Sequence, residues 1–367
     1  MVSSSKFTEM VFESRNVVKL ALGMSLLTVV FFVVYRAPIN PLYLMPRASR
    51  GVSDLSSAAL ASSISDTREA NLQKVLNCAA TDDKTVILTT LNEAWATPGS
   101  ILDLFLDSFR IGNKTQRLLR HLVIVALDKK AYDRCLDVHA HCLVLTTEGA
   151  DFSEEAYFMT PDYLKMMWRR IDFLRTVLEM GFNFIFTDAD IMWFRNPTLH
   201  FYPDADFQIA CDRFNGNSYD ANNMPNGGFN YVKSNNRTIE FYKFWYNSRM
   251  TYPGRHDQDV LNKIKKNSFL SKLGLTMRFL DTAYFGGLCE PSRDLNVVCT
   301  MHANCCYGLD SKLQDLGLML EDWRKFMALT PELKLSRHAS WSVPHNCSLS
   351  SYRRVRTKKK VPEQVKS

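Results

Sequence analysis

Near the middle of the chain a short apolar run, Phe184-Ile185-Phe186, ends abruptly in Thr187-Asp188-Ala189-Asp190, and apolar residues resume from Ile191 to Phe194. Gly181 supplies the turn that starts the run, which reads as a buried strand. A buried strand that delivers carboxylates at its exit fits an open α/β sheet, where ligands collect outside the carboxyl ends of the strands. Side chains alternate along a strand, so Asp188 and Asp190 are expected to point the same way. A pair so placed suits a hard cation, Mn²⁺ or Mg²⁺, which takes oxygen ligands and keeps positions open for substrate phosphates. Asp-x-Asp also occurs in solvated loops, so the strand exit carries the reading more than the motif does.

The flanking pattern agrees with such a sheet. Thr85 to Leu91 reads as a buried strand, followed by Asn92 and a turn at Pro98-Gly99. Ser100 then caps a helix whose core face is Ile101, Leu102, Phe105 and Phe109, with Gly112 ending it. Leu122 to Leu127 is the next strand and Cys142 to Leu145 a short third. Thr160-Pro161 opens a helix with proline at its first position and an apolar stripe of Leu164, Met167, Trp168, Ile171, Leu174 and Leu178. Strand, helix, strand, helix, strand is the signature of a largely parallel sheet with crossover helices. There is no glycine-rich phosphate loop of either common kind, so any phosphate binding has to run through metal.

The 367 residues are 46% hydrophobic and 12% aromatic, enough for one large α/β domain or two smaller ones. Most of the net charge of +7 comes from Arg353, Arg354, Arg356, Lys358, Lys359 and Lys360 in the tail. No interleaving of basic and aromatic residues points to nucleic acid. Leu20 to Tyr35 is uncharged, short for a spanning helix, and preceded by a long mixed-charge segment; Arg36-Ala37-Pro38 is a poor cleavage site. These features predict an uncleaved anchor with the bulk of the chain on the lumenal side. The expected organisation is a cytosolic tail over 1–19, a transmembrane signal anchor over 20–36 and a Ser/Ala-rich stem over 37–80. A catalytic domain follows over 81–345 and a basic tail over 346–367.

Nine cysteines, with no Cys-x-x-Cys knuckle, argue against a zinc site and for several disulfides in a lumen, the odd count leaving one over. The sequons at Asn113, Asn236 and Asn346 are compatible with a lumen and hardly argue for it.

Five stretches together resemble the plant nucleotide-diphospho-sugar transferases of glycosyltransferase family 77. They are Thr89 to Trp95, Phe186 to Arg195, Pro225-Asn226-Gly227-Gly228-Phe229-Asn230, His256-Asp257-Gln258-Asp259-Val260-Leu261-Asn262 and Met301-His302-Ala303-Asn304-Cys305. The resemblance spans roughly Thr85 to Met327. It implies a GT-A-like mixed, mainly parallel sheet flanked by helices, and a single-pass Golgi enzyme. It also implies a UDP-sugar donor, retention of anomeric configuration, and a wall-polysaccharide or hydroxyproline-rich glycoprotein acceptor. On that frame Asp190 is expected as a direct metal ligand, with Asp188 on ribose or metal and His302 as a late third ligand. Thr90, Asn92 and Ala94 are expected at the nucleotide, or else form an ordinary strand exit. Lys165 and Arg169, four apart on one helix face, would bind phosphate or steady the acidic pair, or form a solvated basic face. Asn226, Gly227 and Gly228 would let backbone approach a sugar, or simply turn into the next strand. Asp257 is a plausible helix cap, while Asp259, or Asp257, together with Gln258 would face the donor's anomeric carbon. The competing readings are a membrane-anchored glycan-binding scaffold without turnover and a metal-dependent phosphoester hydrolase, the latter disfavoured by the few clustered His and Asp ligands.

Overall fold

Unbroken apolar runs make the central strands, because a parallel strand is covered on both faces. The computed structural model describes residues 68–145, 159–335 and 339–347. Seven strands form one sheet: β1 (Thr85–Leu91), β2 (Leu122–Ala126), β3 (Cys142–Val144), β4 (Asn183–Thr187), β6 (Phe207–Arg213), β7 (Met224–Val232) and β8 (Met277–Phe279), in the order β3-β2-β1-β4-β7-β6-β8. Only β7 runs against the rest. The mixed, mainly parallel α/β sheet expected from the sequence is therefore present.

Alternation along each strand builds two cores, one on either face. Val86, Leu88, Val123, Val125, Phe184 and Phe186 pack under a helix over residues 68–79 (α1), α5 (Pro161–Glu179), α6 (Asn236–Ser248), α7 (Asp257–Ile264) and α8 (Ser268–Leu273). Ile87, Leu91, Leu122, Ile124 and Ile185 face the other way, beneath α3 (Ile101–Ile111), α4 (Lys129–Val138) and α9 (Leu309–Met327). Two further short helices, α2 (Glu93–Ala96) and α10 (Pro331–Leu335), complete the set described. Each fully buried Phe or Leu adds roughly 1.5–3 kcal/mol, which makes the two cores the main source of stability.

A second sheet places the site. Strands β5 (Ile191–Trp193), β10 (Thr300–His302) and β9 (Phe285–Gly287) pair in the order β5-β10-β9. The β5–β10 register sets His302 opposite Ile191, and the Ala303 N–H donates to the Asp190 carbonyl at 3.0 Å. Residues more than a hundred positions apart thereby meet at one strand end.

Several sequence expectations change in detail. The Ser100 hydroxyl donates to the Ala94 carbonyl at 3.0 Å and leaves α3 without a side-chain cap. Gly112 ends α3 in an extended conformation (φ −68°). It is glycine because a Cβ would stand 2.2 Å from Thr115 Oγ1 and 2.6 Å from the Trp193 carbonyl oxygen. On α5, Leu164 and Trp168 stay partly exposed, and Arg170 takes a place in the buried stripe. Leu76 and Ala79 of α1 are fully buried, so folded structure reaches into the stretch expected as stem. At the other end it continues to Cys347.

The disulfides are Cys135–Cys142, Cys289–Cys305 and Cys306–Cys347; Cys78, Cys211 and Cys299 remain thiols, three rather than the one an odd count requires. Among the described residues no helix is long and apolar enough to cross a membrane; the expected anchor (20–36) and cytosolic tail (1–19) lie outside them, as does nearly all of the basic tail.

Candidate active site

Strand β4 ends at Thr187, so Asp188 and Asp190 sit on the turn between β4 and β5 rather than on a strand. They still converge, because both ends of that turn are held. The Asp188 N–H donates to the Gly228 carbonyl at 2.7 Å, and β5 is locked to β10. Asp190 Oδ1 lies 3.2 Å and Asp188 Oδ2 3.9 Å from His302 Nε2. One ligand atom from each of the three residues falls within 4.8 Å of the others.

Asp190 Oδ1 is buried and lies 3.2 Å from His302 Nε2 without a well-aligned hydrogen bond. A buried carboxylate oxygen left unmatched is costly, and a cation between Asp190 and His302 would satisfy it. Two carboxylate oxygens and one imidazole suit Mn²⁺ or Mg²⁺, and the residues fit the group. The side chain of Asp190 is 1% exposed and that of Asp188 28%, so Asp190 is the inner ligand and Asp188 also reaches solvent.

Two cations flank the acids. Lys312, on α9, is ion-paired with Asp190 Oδ2, and its ammonium lies 5.5 Å from the Trp95 ring centre. Arg170, buried on α5, donates to Asp188 at 2.8 Å and to Asp257 at 2.5 Å, with its guanidinium over the Phe186 ring. Burial acts to raise the Asp190 pKa, but Lys312 and His302 outweigh it and hold the carboxyl well below the usual range. Asp188 goes the other way: burial raises it, with Arg170 opposing and Asp190 adding to the rise. The linked cluster holds three carboxylates against two fixed cations. One bound divalent ion would offset the negative excess and ease the approach of a diphosphate.

The remaining predicted residues divide. Asn226, Gly228 and Gln258 join the cluster. Asn226 Oδ1 accepts from the Gly228 N–H, and Gln258 Oε1 from the Gly227 N–H, both at 2.9 Å. The sequence expects Gly228 to give room to a sugar. Instead that room is filled by the metal ligands, since a Cβ there would stand 2.6 Å from both Asp188 Oδ2 and His302 Cε1. Asp257 is the first residue of α7; His256 takes the cap position, and Asp257 instead pairs with Arg170. Asp259 turns to Arg255 (3.6 Å) and His256 (3.5 Å) on the half-exposed side. Asn92 is buried and caps α2 through the Trp95 N–H, the ordinary strand-exit role. Thr90 is half-buried at the β1 end, and the Ala94 carbonyl accepts from Ser100. Lys165 is exposed and Arg169 bonds Asp172 at 3.2 Å, so neither holds the acidic pair; Arg170 does.

Sequence reading missed Arg170, Asp212, Asn304 and Lys312 as site residues. Arg170 had a signal, since it falls on the stripe of Met167, Ile171 and Leu174 where a charge is out of place. Asp212 ends an apolar strand just as Asp188 does. Asn304 lay within a quoted stretch. Lys312 had none, because helix packing alone brings α9 to the acids.

A mainly parallel sheet with a candidate metal cluster at the carboxyl ends of its strands puts these residues where α/β folds bind ligands. The chain belongs to the nucleotide-diphospho-sugar transferase family, whose model matches residues 117–316, and it is a glycosyltransferase. An uncharacterized Arabidopsis thaliana protein, At4g15970, is 52% identical over 296 residues, covering 80% of this chain and 78% of that one. A second, At1g28695, is 41% identical over 278 residues, covering 73% and 83%. A 70-residue stretch is 37% identical to the UDP-galactose:fucoside alpha-3-galactosyltransferase of Dictyostelium discoideum, covering 18% of this chain and 10% of that protein. Among solved structures, a glycosyltransferase involved in glycosylation of the major capsid of PBCV-1 aligns with a TM-score of 0.38 at 11% identity, over 64% of this chain and 98% of that one. That likeness is too weak to carry argument.

Proposed function

We propose that this chain moves a pentose or galactose from a UDP-sugar to a wall polysaccharide or hydroxyproline-rich glycoprotein, retaining the anomeric configuration. The reaction would take place in the Golgi lumen, with the chain tethered by the expected anchor over 20–36. The observation that carries the reading is the unmatched Asp190 Oδ1 between His302 and the Lys312-paired oxygen. Asp188, Asp190 and His302 would hold Mn²⁺ or Mg²⁺, which supplies Lewis-acid stabilisation of the leaving diphosphate.

The chain's own residues divide the remaining work. Lys312 adds positive charge beside the diphosphate, where charge builds as the glycosidic bond breaks. Arg170 holds Asp188 and Asp257 in fixed directions. Asp257 and Gln258 stand at the amino end of α7 and position the donor sugar; Asp259, turned toward Arg255, has no such part. The end of β1 and the start of α2, from Thr90 to Trp95, touching Lys312 through Trp95, form the candidate nucleotide wall. Three disulfides support an oxidising compartment. The Dictyostelium stretch supports UDP-galactose as one donor to try, and the family resemblance adds UDP-xylose and UDP-arabinofuranose.

The test is product analysis of the full-length chain with Mn²⁺, labelled UDP-sugars and wall-derived acceptors. Transfer with an α linkage from an α-linked donor supports the reading. Sugar bound without turnover contradicts it and favours a glycan-binding scaffold. Release of phosphate from simple esters would point to a hydrolase.

A further inference from the structure

Asp212 lies outside the metal cluster, near the end of β6, where the ladder is broken. Cys211 pairs Pro225 and Arg213 pairs Met224, so Asp212 is the extra residue of a bulge, a device that re-aims a side chain. Its carboxylate accepts from three side-chain amides. Asn226 Nδ2 donates to Oδ1 at 2.9 Å, Asn304 Nδ2 to Oδ1 at 2.8 Å and Gln258 Nε2 to Oδ2 at 2.8 Å. An ionised carboxylate only accepts, so each amide must turn its NH₂ toward Asp212. Each carbonyl oxygen is then left for a backbone N–H: Asn226 for Gly228, Gln258 for Gly227 and Asn304 for Cys289. One side chain thus sets the orientation of three amides on three separate segments. Each amide nitrogen keeps a second hydrogen. Asn226 and Asn304 line one small opening together with the candidate metal ligand His302.

We propose that Asp212 is a positioning residue for sugar recognition: it fixes Asn226, Gln258 and Asn304 so that they offer N–H groups to the hydroxyls of the transferred sugar. This rests on the nucleotide-sugar reading above.

The test is calorimetric titration of the full-length chain in detergent with Mn²⁺, using UDP, UDP-galactose and UDP-xylose. The wild-type chain binds at least one UDP-sugar more tightly than UDP. Asp212→Asn puts an NH₂ against one of the amides. It binds UDP within twofold of wild type and that UDP-sugar at least tenfold more weakly. Asn226→Ala/Asn304→Ala loses the same preference, and adding Asp212→Asn to it weakens UDP-sugar binding less than threefold further, which a carboxylate touching the sugar directly would not show. No preference for UDP-sugar over UDP in wild type, an unchanged or parallel loss of both ligands in Asp212→Asn, or a further loss of threefold or more in the triple variant overturns the assignment. Failure of wild type to bind UDP with Mn²⁺ instead overturns the underlying nucleotide-sugar reading, and the assignment with it.

Discussion

Arg170 is buried between two acids, and removing one partner of a buried pair costs about 3–5 kcal/mol because the other charge stays uncompensated. Arg170→Met keeps most of the volume and isolates that cost. Burial acts to raise the Asp257 pKa, but Arg170 and then His256 outweigh it, and the carboxyl is held below its usual range. In wild type this contributes stability that is fully present above the unfolded value of about 3.9 and is lost as pH falls through the lower folded value. Without Arg170, burial dominates, the folded value rises above the unfolded one, and the sign reverses. Urea titrations should therefore show the deficit of Arg170→Met narrowing from pH 7 to pH 5; a deficit independent of pH contradicts this. The two central glycines make a second residue-scale pair. A Cβ at Gly228 collides with Asp188 and His302, whereas at Gly227 its nearest neighbours are at 3.7 Å, ordinary contact. Gly228→Ala is expected to abolish Mn²⁺ binding, measured by the paramagnetic signal of free Mn²⁺, while Gly227→Ala keeps it within threefold. Equal effects would mean that the ligand geometry is not packed as described.

The segment from His302 to Lys312 is pinned on both sides at the element scale. Vicinal Cys305 and Cys306 tie it to Cys289 after β9 and to Cys347 in the C-terminal segment. That segment is also held by Asp315 of α9, which is fully buried and accepts the N–H groups of His345, Asn346 and Cys347. Cys289→Ser/Cys305→Ser should weaken Mn²⁺-dependent UDP binding at least tenfold. Cys135→Ser/Cys142→Ser, which frees only α4 from β3, should leave it unchanged; equal loss in both would mean general destabilisation. The elements themselves were legible to different degrees. Strands β1, β2 and β4 read correctly because burial on both faces makes runs such as Leu122–Ala126 wholly apolar. Proline at the first position and Gly181 (φ +83°) marked both ends of α5. Three-residue strands such as β9 and β10 span too few residues to show a period, so the small sheet that delivers His302 was invisible, though His302 itself was not. Lys165 and Arg169 share one helix face by their spacing, but the side chain that reaches the acids is the inward-pointing Arg170, one position later.

Across the whole molecule, the topology brings acids from the β4 exit, a histidine from β10, a lysine from α9 and an amide from α7 to the carboxyl ends of one sheet. Asp188, Asp190 and His302 could be named from sequence because strand exits and quoted motifs marked them. Asp212 carried the same strand-exit signal as Asp188 but lay outside the quoted motifs, and Lys312 had no signal, because only helix packing brings it in. On the proposed function, this convergence binds a nucleotide diphosphate through a divalent metal. The most direct measurement is calorimetric titration of UDP into the full-length chain with and without Mn²⁺, alongside Asp190→Asn. Binding is expected to require Mn²⁺ and to fall at least a hundredfold in Asp190→Asn. Binding indifferent to metal and to that substitution, or no binding by the folded wild-type chain with Mn²⁺ present, would contradict it.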